Sequence, residues 1–109
     1  MLSTDRPGAP GKPEASKINA SEMTITWTPP QSDGGNPITG YVVERKETTS
    51  TRWITINKHP QRETTLVAKD LTERSEYQFR VNAQNKAGFG PFSEPSDVYM
   101  AKPPYGKIL

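Results

Sequence analysis

The chain contains no cysteine and a single histidine, His59. Without cysteine there is no disulfide framework and no thiolate metal site. One histidine without cysteine also argues against a buried zinc centre. No stretch approaches the roughly 20 apolar residues of a membrane helix. Residues Met1 to Arg6 are too polar for a signal peptide. Cysteine-free composition favours a reducing, cytoplasmic compartment. Like-charged runs are short as well. The 14 basic and 12 acidic residues leave a formal net charge of +2 and are interspersed. Nucleic-acid binding would need a basic stripe with accessible aromatics, and neither is present.

Apolar content is only 31%, so the core is thin. Two short sheets, each with one wet face, suit such a core. Proline and glycine, by contrast, are plentiful, with 11 and 8 residues. They fall between apolar runs and at both ends, which is turn and linker placement. The spread excludes a long helical bundle. Residues 1–9 are expected to be an N-terminal Pro/Gly-rich linker of polyproline II character. Residues 10–102 are expected to form the domain, and 103–109 a C-terminal linker or tail.

Between those ends the apolar spacing is two, the period of a strand. Met23, Ile25 and Trp27 alternate with threonines. Tyr41 and Val43 do the same, and so do Leu66 and Ala68. The run Tyr77, Phe79, Val81 and Ala83 alternates with four polar residues. Turn residues separate these runs at 33–37, 48–51 and 85–91. The pattern predicts about seven strands and an all-β, antiparallel sandwich. No internal repeat is visible, so one module is present.

Several features together resemble a fibronectin type III domain over roughly residues 8 to 102. Trp27 precedes Pro29-Pro30, as in that family's second strand. Leu71 stands six residues before Tyr77, which is similar to its tyrosine corner. Residues 77–83 resemble its sixth strand. Asn85-Lys86-Ala87-Gly88, Gly90-Pro91 and Ser93-Glu94-Pro95-Ser96 resemble the following loop and last strand. The segment Ser32 to Lys46 is similar to modules of the giant muscle proteins titin and twitchin. That resemblance implies a structural and interaction module in a tandem array, with no cofactor. Its partners would be neighbouring immunoglobulin and fibronectin type III modules and thick-filament proteins such as myosin. The A-band of the sarcomere is the implied location, and an isolated domain is expected to be a monomer.

The same residues allow sharper readings. Trp27 could stack on a ligand, but its phase with Met23 and Ile25 places it in the core with Tyr41, Leu71, Tyr77, Phe79 and Val81. Tyr77 could be a catalytic phenol, but a corner hydroxyl needs only a backbone partner. Trp53 flanks a short edge strand and is read either as a core margin or as a partner anchor. Glu44 and Arg80 are expected to pair across strands. Arg45, Lys46, Arg52 and Arg80 could form a basic patch, or a solvated face interrupted by Glu44 and Glu47. Phe89 sits between two glycines on a predicted loop, where it could anchor a partner or fold back. The loop at 33–35 is expected at the same end, so the two could share a surface. Candidate protein contacts are therefore Trp53, Phe89, Arg45 and Arg80. No nucleophile accompanies His59, and no glycine loop opens a helix, so catalysis and phosphate binding find no support. Asn19-Ala20-Ser21 fits a glycosylation acceptor, which leaves an extracellular receptor or adhesion module as a second class. A flank of a muscle-protein kinase is a third.

Overall fold

A computed structural model describes residues 5–104. Among these the strands are β1 (Glu14–Ser16), β2 (Met23–Thr26), β3 (Gly40–Glu47), β4 (Ile54–Thr55), β5 (Thr65–Ala68), β6 (Glu76–Asn85), β7 (Gly88–Phe89) and β8 (Tyr99–Met100). One sheet has the order β1-β2-β5. The other has the order β4-β3-β6-β7, with β8 also paired to β6. All pairs are antiparallel. The fold is an all-β sandwich.

The period of two explains the core. Met23 and Ile25 of β2 and Ala68 of β5 face Tyr41 and Val43 of β3 and Tyr77, Phe79, Val81 and Ala83 of β6. Trp27 and Leu71 close the cluster, and no member is more than 6% exposed. Trp27 meets Tyr41 edge-on, with centroids 5.6 Å apart. The Tyr77 hydroxyl accepts a 2.7 Å hydrogen bond from the Thr72 amide, one residue past Leu71. That bond ties the crossover between the sheets to the start of β6.

The sequence pattern predicts seven strands, and eight pieces are found because the last strand is split. Pro91 and Pro95 lack the amide hydrogen that a continuous ladder needs. The segment nevertheless stays on β6. Gly90, Ser93 and Ser96 donate their amides to Ala83, Val81 and Phe79 at 2.9, 2.7 and 2.7 Å. In return the Ser93 and Ser96 hydroxyls accept from the Val81 and Phe79 amides at 3.0 and 2.9 Å. Buried side-chain oxygens thus replace the carbonyls of a regular partner strand.

Where the short pairing with β4 stops, the edge of β3 is covered in a similar way. Asn57, just past β4, accepts from the Val43 amide at 2.8 Å and donates to the Tyr41 carbonyl at 2.9 Å. Its side chain stands in for a strand residue and covers the edge.

Residues 5–9 are hydrogen-bonded to the sandwich, because Gly8 donates to the Ser32 carbonyl at 2.9 Å and the Asp5 carbonyl accepts from Asn85 at 2.8 Å. Residues 1–4, and residues 105–109 of the expected tail, lie outside the described residues.

Candidate protein-contact face

The outward face of the β4-β3-β6-β7 sheet carries the most concentrated side-chain chemistry. Register places Glu44 opposite Arg80. The Arg80 Nε and Nη2 both donate to Glu44 Oε1, at 2.9 and 2.6 Å. The other carboxylate oxygen accepts from Thr55 Oγ1 at 3.1 Å. The pair is half-sheltered, with side-chain exposures of 27% for Arg80 and 15% for Glu44.

Two rings hold the guanidinium as well. Its Cζ lies 4.4 Å from the Trp53 centroid and 4.0 Å from the Phe92 centroid. The Lys46 ammonium is 5.8 Å from the same Trp53 ring. A planar guanidinium suits this stacking as an ammonium does not. Such contacts contribute about 0.5–1 kcal/mol each at exposed sites. Strand phase explains the grouping. Glu44, Lys46 and Arg80 occupy outward positions, while Trp53 enters from the approach to β4 and Phe92 from the proline-interrupted last strand.

Beside this stack is a shallow groove of about 400 Å³. Val42, Asn82, Phe89, Phe92 and Pro60 line it. Asn82 is 8% exposed, and its Oδ1 has no partner among the described residues. Phe89 is 39% exposed. It lies in β7 opposite Gln84, so it belongs to the sheet rather than to a loop tip. The hairpin turn needs only Lys86 and Ala87, which lets pairing resume at Gly88.

The four basic residues at 45, 46, 52 and 80 do not form one patch. Arg45 has the inward phase of β3, and its Cζ sits 5.5 Å over the Tyr77 ring. Arg45 and Arg80 therefore face opposite sides of their sheet. Arg52 lines a separate notch with Arg45 and Ile54. Arg80 itself is neutralised by Glu44. Trp53, Phe89 and Arg80 come together on one face, and Arg45 does not join them.

Phe92 and Asn82 complete that face without having drawn attention in the sequence. Phe92 sits between Pro91 and Ser93, where no strand period applies. Its one local signal is an aromatic beside a strand-breaking proline. Asn82 reads as an ordinary outward polar residue of β6.

The remaining candidates take structural places. The Asn19 side-chain oxygen accepts from the Ser21 and Glu22 amides at 2.9 and 2.8 Å, closing the turn before β2. His59 is exposed, and its carbonyl accepts from Asn57. Among the described residues, no group of three or more His, Cys, Asp or Glu side chains could hold a metal ion. No helix of the described chain is long and apolar enough to cross a membrane.

Two facing antiparallel sheets, locked by a buried tyrosine and bearing an aromatic–arginine outer face, define an immunoglobulin-like sandwich. Comparison with known proteins narrows the class. The family model for the fibronectin type III domain matches residues 8–99. Cardiac-type myosin-binding protein C of Mus musculus is 37% identical over 103 residues, which is 94% of this chain and 8% of that protein. A crystal structure of titin domains is similar with a TM-score of 0.86 at 40% identity, covering 90% of this chain and 33% of that one. The twitchin kinase region from C. elegans gives a TM-score of 0.85 at 27% identity, over 95% of this chain and 18% of that one. The chain belongs to the fibronectin type III family, a non-catalytic structural fold. It spans a small fraction of the length of the relatives it matches.

Proposed function

We propose that this module is a spacer and contact element in a tandem array of a sarcomeric protein, located in the A-band along the thick filament. The β4-β3-β6-β7 face is the surface that meets thick-filament protein. The observation carrying this reading is the joining of two facts. The relatives include a myosin-binding protein, and the outward face of the β4-β3-β6-β7 sheet places Trp53, Phe92 and Phe89 beside a groove. Aromatic and arginine residues are the side chains that most often anchor protein interfaces. The domain itself occupies residues 10–102, extended at its N-terminal side by residues 5–9. Neighbouring immunoglobulin and fibronectin type III modules are its covalent partners in this reading.

Co-sedimentation with purified myosin rod fragments tests the proposal. The folded domain is expected to pellet with the rods, and Phe89→Ala or Trp53→Ala to weaken binding about fivefold or more, the loss typical of an interface anchor. Circular dichroism checks that each variant is folded. A folded wild-type domain that stays in the supernatant sinks the thick-filament contact and leaves a spacer alone.

The likeness to the twitchin kinase region supports a second reading, in which the module flanks a kinase domain. Adding the domain to a purified muscle-giant kinase and measuring phosphorylation distinguishes the two. A change in rate favours the flank, and an unchanged rate favours the array.

A further inference from the structure

Residues 7–13 read Pro7-Gly8-Ala9-Pro10-Gly11-Lys12-Pro13, two Pro-Gly-x triplets and the proline that opens a third. Each place in the triplet has one structural role. Pro7, Pro10 and Pro13 are buried. Gly8 and Gly11 donate their amides to the Ser32 and Thr28 carbonyls at 2.9 and 3.0 Å. Ala9 and Lys12 are exposed. A burial period of three is that of polyproline II, whose backbone is ordinarily solvated. Here one amide in three is used to dock the strand. The segment runs antiparallel to residues 28–32 and passes directly into the β1–β2 pairing, where Glu14 opposes Thr26.

Further toward the N-terminus, the chain enters the space between the two loops at that end. Asn85 Nδ2 donates to both the Asp5 and the Asp33 carbonyls at 2.8 Å. A β-carbon on Gly90 would overlap the Pro7 carbonyl oxygen. One on Gly34, which also has φ +74, would overlap the Asp5 and Arg6 carbonyl oxygens. Only glycine at 34 and 90 leaves room for the segment. The Arg6 side chain packs against Gly88.

We infer that residues 5–13 are a built-in docking strand, and that the cleft between the 32–34 and 88–90 loops is its receptor. The loop end of the sandwich is therefore filled by the chain's own segment rather than open to an outside partner. Residues 5–13 are thereby fixed to the body of the sandwich, where an undocked polyproline segment would be semi-rigid but unattached. Proline lowers the entropy lost on docking, because its φ is already set. This inference stands independently of any thick-filament contact.

Amide hydrogen exchange by NMR on the full 109-residue chain tests it. The Gly8 and Gly11 amides are expected to exchange roughly tenfold or more slowly than unstructured amides, with Ala9 and Lys12 fast, giving protection at every third residue. In Gly90→Ala the Gly8 protection is expected to vanish while Val81 in β6 keeps its own. Gly8 and Gly11 exchanging at unstructured rates in the wild-type chain overturn the inference. So does a folded Gly90→Ala variant that keeps Gly8 protected. If Gly90→Ala loses the Val81 protection too, the wild-type pattern alone decides.

Discussion

The smallest feature that holds this fold together is one hydroxyl. Tyr77 is fully buried, and its oxygen accepts from the Thr72 amide at 2.7 Å. Tyr77→Phe keeps the ring and strands that amide without a partner. The expected cost is about 0.5–1.5 kcal/mol, the net worth of one hydrogen bond, because Thr72 itself is exposed. It should appear as a lower urea midpoint with an unchanged slope, since the exposed surface on unfolding is the same. A midpoint equal to wild type would mean that water reaches Thr72. The role of Tyr77 was legible because its spacing from Leu71 and its phase in the 77–83 run agree. Arg80 was legible only in part. Alternation put it outward beside Glu44, but nothing local to residue 80 indicates that rings from residues 53 and 92 enclose it. Those rings reach it through two irregular segments, and irregular segments have no period to read.

At the scale of elements, the sheet that carries the contact face depends on side chains acting as backbone. The last strand is interrupted by two prolines, yet Ser93 and Ser96 return hydrogen bonds to the Val81 and Phe79 amides. Both serines are at most 5% exposed. Ser93→Ala and Ser96→Ala each leave one buried β6 amide unpaired. Each should cost about 1–3 kcal/mol, and the amide of Val81 or Phe79, respectively, should exchange faster than its neighbours. Equal protection at both sites in both variants would show that a carbonyl or water takes over. The two-sheet plan and strand phases were readable from apolar spacing, since one buried face imposes a period of two. The division of the last strand was foreshadowed by Pro91 and Pro95. Its serine repair was not, because serine is equally at home in any turn. The use of Asn57 as a surrogate edge residue escapes the sequence for the same reason. The hydrogen bonds of residues 5–9 to the sandwich were not legible either, because polyproline geometry looks alike whether solvated or docked.

For the molecule as a whole, the charge pattern sets where stability depends on pH. Burial pushes the Tyr41 phenol above its ordinary value of 10.0. A hydrogen bond from Lys12 to Asp97, reinforced by their charge attraction, raises the Lys12 ammonium above 10.5. In both cases the folded protein holds the proton more tightly than the unfolded chain. Well below pH 10.0 the unfolded chain also keeps both protons, so neither group makes stability vary there. Above it the unfolded chain releases first, and stability falls with rising pH. Tyr41 should dominate, because the Lys12–Asp97 pair lies in solvent, with side-chain exposures of 47% and 72%, and exposed pairs contribute little. Thermal melts by circular dichroism at about pH 9, 10 and 11 span the window in which these groups titrate. The melting temperature is expected to decline across the upper half of that range. Tyr41→Phe should flatten the decline, while Lys12→Met should leave it nearly as steep. An equally steep decline in Tyr41→Phe would mean that burial does not hold the Tyr41 proton differently in the folded and unfolded chain, and that other groups carry the pH dependence.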